Sequence, residues 1–234
     1  MDLSYHVRRL AESFYALEQG VVRCFLLVGA ERALLVDTGF GGDLRAVVAG
    51  LTDKPVTLVS THSDGDHTGG DADFPAHYIH AAELARYVAH RPEAAPPVPV
   101  EEGYVFDLAP YRLEVVHLPG HTPGSIALLE RERRFLIGGD VVSTRPIFLF
   151  GDGREPAAYR GCLEKLMGLA GAFDRIYPAH GELPLPPERV GRTLAALDEI
   201  LAGRGEICEA EKPRFPAEVK LCRAGDCAFL MTGF

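Results

Sequence analysis

The sequence is short of positive charge. Its 234 residues hold 24 Lys and Arg against 33 Asp and Glu, a formal net charge of −9. Phosphate backbones are gripped by basic faces, so no nucleic acid partner is expected, and no anionic membrane surface either. No apolar run approaches the roughly 20 residues of a membrane span. The opening residues, Met1-Asp2-Leu3-Ser4-Tyr5-His6, lack a basic stretch followed by an apolar one. No secretory signal is therefore expected, and the expected location is the cytoplasm. The five cysteines are an odd number, as reduced thiols allow, and Cys222 and Cys227 lack C-x-x-C spacing. No G-x-S-x-G elbow supplies a serine nucleophile. There is no internal repeat and no low-complexity segment.

Apolar residue types make up 47% of the chain, enough for a sizeable core. Short apolar runs predict strands at His6–Leu10, Phe14–Leu17, Val21–Val28, Ala33–Val36 and Val56–Ser60. Asp43 is placed to cap a helix over Leu44–Leu51. Strand, helix and strand over this span imply a βαβ-like element in an α/β layer. A strand at Ala76–His80 and a helix over Ala81–Ala89, with Leu84, Tyr87 and Val88 near one face, follow. Arg91–Pro99 is proline-rich and is read as irregular. Tyr104–Leu108 and Arg112–Leu118 read as strands of a second sheet, and Ile126–Leu129 with Arg134–Ile137 as a hairpin. Helices are expected at Pro156–Leu169 and Pro187–Ala202, with the strand Arg175–Pro178 between them. The whole chain, 1–234, is expected to be one domain, with 205–234 as an added tail that contributes strands.

The densest chemistry lies in Thr61-His62-Ser63-Asp64-Gly65-Asp66-His67-Thr68-Gly69-Gly70. His62, Asp64, Asp66 and His67 are all potential metal ligands, delivered at the end of a buried strand. Similar strand ends recur at Asp37, His121, Asp140 and His180, each with glycine nearby. Ligands carried on several strand ends at one edge of a sheet converge in space while far apart in sequence.

The set Asp37-Thr38-Gly39, His62-x-Asp64-x-Asp66-His67, Gly120-His121, Gly139-Asp140 and Ala179-His180-Gly181 resembles the metallo-β-lactamase superfamily, with its glyoxalase II and lactonase branches most alike. The resemblance implies an α/β (α+β) fold: a four-layer αβ/βα sandwich of two mixed β-sheets flanked by helices. It implies a site for two divalent metal ions, zinc or else iron or manganese. One ion would take His62, the residue at position 64 and His121. The other would take Asp66, His67 and His180, with Asp140 bridging and Asp37 bracing the loop from behind. Asp66 and Asp140 are the expected catalytic carboxylates. The implied reaction is attack of a metal-held hydroxide on the carbonyl of a small ester, thioester or lactone.

Asp64 departs from the family pattern, which has histidine there. Three carboxylates would then face the metals. The expected consequences are a preference for iron or manganese over zinc and a weaker pull on anionic substrates. The flavodiiron branch has glutamate at this position, so a dinuclear iron oxidoreductase is an alternative. A non-catalytic metal-binding protein on the same fold is another. The antibiotic-hydrolysing branch fits less well, because it acts outside the cytoplasm and lacks the aspartate that Asp140 represents. Glutathione is not supported, since the stretch 209–214 is of mixed sign. Arg145 and Phe148, in the apolar segment after Asp140, are expected to line the pocket for a small-molecule substrate. A homodimer is left open.

Overall fold

A computed structural model describes residues 3–92, 94–151, 153–210 and 215–234. Its first sheet has seven strands in sequence order: β1 (His6–Ala11), β2 (Phe14–Gln19), β3 (Val22–Val28), β4 (Ala33–Val36), β5 (Val56–Val59), β6 (His77–His80) and β7 (Val98–Val100). The first four strands form an antiparallel meander, and β4 to β7 run parallel. The expected strand–helix–strand unit is β4, helix α1 (Leu44–Leu51) and β5. The second sheet is ordered β13-β11-β10-β9-β8, from β8 (Val105–Asp107), β9 (Arg112–His117), β10 (Ile126–Glu130), β11 (Phe135–Gly139) and β13 (Arg175–Pro178).

Alternation along the strands decides the layering. Phe14, Phe25, Leu27, Val36 and Val59 of the first sheet share one buried cluster with Leu113, Val115, Leu128, Phe135 and Ile137 of the second. The opposite face of the first sheet, with Leu26, Leu35 and Leu58, packs on Leu44 and Val48 of α1. The opposite face of the second sheet packs on α4 (Pro156–Gly168) and α5 (Glu188–Leu201) through Tyr159, Leu163, Val190 and Leu197. This is the expected helix–sheet–sheet–helix sandwich, and two apolar faces per sheet are what the near-continuous apolar strands require.

Several local readings are corrected. Pro99 lies within β7, inside the stretch read as irregular; β7 is the edge strand, where a missing N–H breaks no ladder bond. Asp43 sits at the N-cap of α1, but its side chain makes no capping bond. The helix after β6 opens with a 3₁₀ turn (Ala81–Glu83) and continues as α3 (Leu84–His90). Tyr87 is buried there while Val88 is 47% exposed, so the apolar stripe is narrower than its composition implied. The tail forms β14 (Glu206–Glu209), β15 (Lys220–Ala224) and β16 (Cys227–Met231), which join β12 (Ile147–Leu149) in a third sheet ordered β12-β16-β15-β14. Of the mixed-sign stretch, residues 211–214 lie outside the described residues. No described helix is long and apolar enough to cross a membrane.

Candidate metal centre

Each singled-out acid or histidine follows the C-terminal end of a strand. Asp37 follows β4, His62 follows β5, His121 follows β9, Asp140 follows β11 and His180 follows β13. Parallel β4 and β5 bring the first two side by side, and parallel β11 and β13 do the same for the last two. Asp64 to His67 curl into a single helical turn, α2 (Gly65–Thr68). Gly139 allows a close approach between the two sheets beside the site. Its φ is +52°, and a Cβ there would lie 2.9 Å from the side chain of Thr61.

The acids and histidines gather in two donor groups. His62 Nε2 and His121 Nε2 are 3.2 Å apart. Asp64 Oδ2 lies 3.5 Å from the first and 3.4 Å from the second. Asp140 Oδ2 completes this group, 3.6 Å from His121 Nε2. In the other group, His180 Nε2 stands 3.4 Å from Asp66 Oδ2 and 3.3 Å from Asp140 Oδ1. His67 Nε2 is 3.3 Å from the same Asp140 oxygen and 3.9 Å from Asp66 Oδ1. Asp140 thus offers one oxygen to each group.

All four imidazoles turn Nε2 inward because Nδ1 is engaged behind. His67 Nδ1 donates to Asp37 Oδ2 at 2.8 Å, His121 Nδ1 to the Phe148 carbonyl at 2.9 Å, and His180 Nδ1 to the Val21 carbonyl at 2.6 Å. Thr61 Oγ1 gives its proton to Asp37 Oδ2 and accepts from His62 Nδ1 at 3.0 Å. Asp37 also takes the Thr61 N–H at 2.7 Å, so one buried carboxylate orients two of the histidines.

This donor set fits divalent metal. Ligands about 2.0–2.2 Å from a tetrahedral ion lie about 3.3–3.6 Å from one another, close to most of the separations here. His67 Nε2 and Asp140 Oδ1 are buried with no hydrogen-bond partner, a costly arrangement unless something binds there. The electrostatics agree. Burial would raise the Asp140 pKa, but His180 and His67 overturn this and hold it well below the carboxylate range. Burial would lower that of His180, yet Asp140 and Asp66 push it up to about 10. The His67 and His180 side, where nearby carboxylates hold both imidazoles above the ordinary range and the imidazoles hold Asp140 below its own, is prepared for positive charge.

Residues not singled out from sequence complete the site. Asp64 Oδ1 receives Arg86 Nη2 at 2.6 Å, and Asp64 Oδ2 receives Arg154. Glu83, fully buried, takes Ser63 N–H at 3.0 Å, Ser63 Oγ–H at 2.6 Å and Gly124 N–H at 2.7 Å. It thereby ties the loop of His62 to the loop of His121. The expected pocket residues flank the groups on two sides. Arg145 is exposed in a groove of about 420 Å³ with Val21, Arg23, Thr144, Gly181 and Glu182, beside His180. Phe148 supplies the carbonyl that holds His121, while its ring packs with Phe150 and Phe215.

Known proteins resemble this chain. The chain is 28% identical over 196 residues to the acyl-coenzyme A thioesterase MBLAC2 of Gallus gallus, spanning 67% of this chain and 71% of that one. It is 34% identical over 200 residues to the lactamase-like protein aptB of Emericella nidulans, spanning 76% and 62%. Among solved structures, a metallo-beta-lactamase from Pontibacter korlensis superposes with a TM-score of 0.70 at 18% identity, over 83% of this chain and 99% of that one. One from Erythrobacter litoralis superposes at 0.67 and 22%, over 84% and 97%. The metallo-beta-lactamase superfamily profile matches residues 17–207, and the chain belongs to that superfamily.

Proposed function

We propose that this hydrolase cleaves small acyl thioesters, using two divalent ions held by His62, Asp64, His121 and Asp140 on one side and Asp66, His67, His180 and Asp140 on the other. The observation that carries the reading is the shared carboxylate of Asp140, one oxygen to each donor group. When bound, such an ion pair supplies a nucleophilic hydroxide at neutral pH and charge to offset a developing oxyanion.

The chain's own residues do the rest. Asp37, Thr61 and the carbonyls of Phe148 and Val21 keep the four Nε2 lone pairs pointed inward. Asp66 is the least buried of the group carboxylates, its side chain 27% exposed. It is the group that can take a proton from the attacking water and release it to solvent. A thiolate departs without a placed acid, since thiols ionise near pH 8.5. On the His180 side, Arg145 faces no ion-pair partner among the described residues and suits an anionic substrate portion, such as the phosphates of an acyl-coenzyme A. On the His121 side, the partly exposed rings of Phe148, Phe150 and Phe215 suit the acyl chain. The thioesterases among the relatives support this choice of substrate class.

The test is thiol release from acyl-coenzyme A thioesters by metal-loaded protein. Hydrolysis that Asp140→Ala abolishes and Arg145→Ala slows through KM supports the proposal. Stoichiometric metal with no turnover of any thioester, ester or lactone overturns it.

A further inference from the structure

The two donor groups differ in their electrostatic surroundings. Around the His67 and His180 group stand the carboxylates of Asp37, on His67, and Asp66, with Asp140 shared between the two groups. Neither Asp66 nor Asp140 pairs with a guanidinium among the described residues. Behind the His62 and His121 group stand two cations. Arg86 and Arg154, with side chains 12% and 11% exposed, close on the two oxygens of Asp64. Glu83 offsets part of this, its Oε1 at 3.4 Å from Arg86 Nη1. The Nε atoms of both arginines are buried without a hydrogen-bond partner. Two guanidiniums are thus held at Asp64 even though each leaves a donor unsatisfied.

This geometry bears on metal affinity directly. Oδ2 of Asp64 points at both His62 Nε2 and His121 Nε2, yet it already accepts from Arg154. A carboxylate oxygen shared with a guanidinium donates less charge to an ion. The guanidiniums also repel a dication at short range through poorly screened surroundings.

Resting on the two-ion reading above, we propose that Arg86 and Arg154 make the centre asymmetric. The Asp66, His67 and His180 group fills first and holds its ion tightly. The His62, Asp64 and His121 group holds a second ion that exchanges readily. The clamp on Asp64 sets this difference, so the arginines are positioning residues that act through Asp64.

The test counts metal, not turnover. Zinc-loaded full-length protein is dialysed against rising nitrilotriacetate, and zinc per chain is measured by mass spectrometry. The wild-type protein is expected to release zinc in two steps, at least about tenfold apart in chelator concentration, because two guanidiniums hold the oxygens of Asp64 while none, among the described residues, reaches Asp66. His121→Ala should remove the weak step and leave the tight one, and His180→Ala should remove the tight one. Arg154→Met and, independently, Arg86→Met should tighten the weak step by about tenfold, with the far-ultraviolet spectrum of each variant reporting its fold. Single-step release by the wild type overturns the inference, whether or not the arginine variants fold. So does a weaker second ion in both folded variants. Protein that binds neither zinc nor iron nor manganese sinks the two-ion proposal, whereas two ions released together from an active thioesterase sink only the asymmetry.

Discussion

Glu83 is the place to test whether the site depends on bonds between its loops. Its carboxylate is fully buried and accepts from Ser63 N, Ser63 Oγ, Gly124 N and Arg86 Nη1. Glu83→Gln keeps volume and shape but turns one oxygen into a donor. If the amide faces Gly124, two N–H groups oppose each other; if it faces Ser63, the same happens there. Either orientation strands one buried backbone N–H, at about 1–3 kcal/mol. For a chain of this size, 1 kcal/mol moves Tm by about 2–4 °C, so the expected fall is about 2–12 °C. Calorimetry of metal-free protein at pH 7 reads it, with the exposed Glu132→Gln as control, expected to stay within about 0.5 kcal/mol. A second readout follows from ionisation. Burial would raise the Glu83 pKa, but the bonds from Ser63 and Gly124 and the nearby His62 lower it below the ordinary 4.5. A depressed carboxyl pKa contributes stability above the unfolded value and loses it as pH falls through the folded one. The gap between wild type and Glu83→Gln should therefore narrow below about pH 4.5. An unchanged Tm at pH 7 would refute the claim that Glu83 joins the two loops.

Gly139→Ala should destabilise by about 1–3 kcal/mol, because φ is +52° and the new Cβ meets Thr61, which cannot retreat without releasing Asp37; chemical denaturation measures it, and full wild-type stability would contradict the close approach. Asp37→Asn should weaken metal binding about 10- to 100-fold, since His67 loses its charged Nδ1 acceptor; chelator competition reads this, and equal affinity would count against it. The metal-free protein should also respond to alkali. The His180 pKa is raised to about 10, so its contribution is complete below the ordinary 6.5 and fades as pH rises through 10. A melting temperature of chelated protein that stays flat from pH 6.5 to 10.5 would exclude this.

Much of this architecture is legible without coordinates. Strands buried on both faces read as nearly unbroken apolar runs, and β4, β5, β9, β11 and β13 each end at or shortly before an acid or a histidine. That regularity brings Asp37, His62, His121, Asp140 and His180 to one edge, since parallel neighbours deliver their ends together. The weaker readings share one cause, the absence of partners in a linear pattern. Pro99 is tolerated only because β7 has no neighbour on one side. The third sheet pairs Ile147–Leu149 with a strand some 80 residues later, and neither stretch announces the other.

Asp64 is where reading the chain alone misleads about charge. Taken with its neighbours in sequence, a third carboxylate makes the centre less positive, and a harder metal and weaker attraction for anions follow. In the folded chain that carboxylate lies between Arg86 and Arg154, the latter 90 positions away. Two guanidiniums outnumber the one added negative charge, and Glu83 brings the cluster of four back to neutrality. The argument for iron or manganese from charge alone therefore loses its premise, and the choice of metal passes to donor type and geometry. The argument against anionic substrates weakens for the same reason. An aspartate in place of a histidine has become the inner member of a balanced set, and its effect on the centre is decided by residues that no motif around it contains.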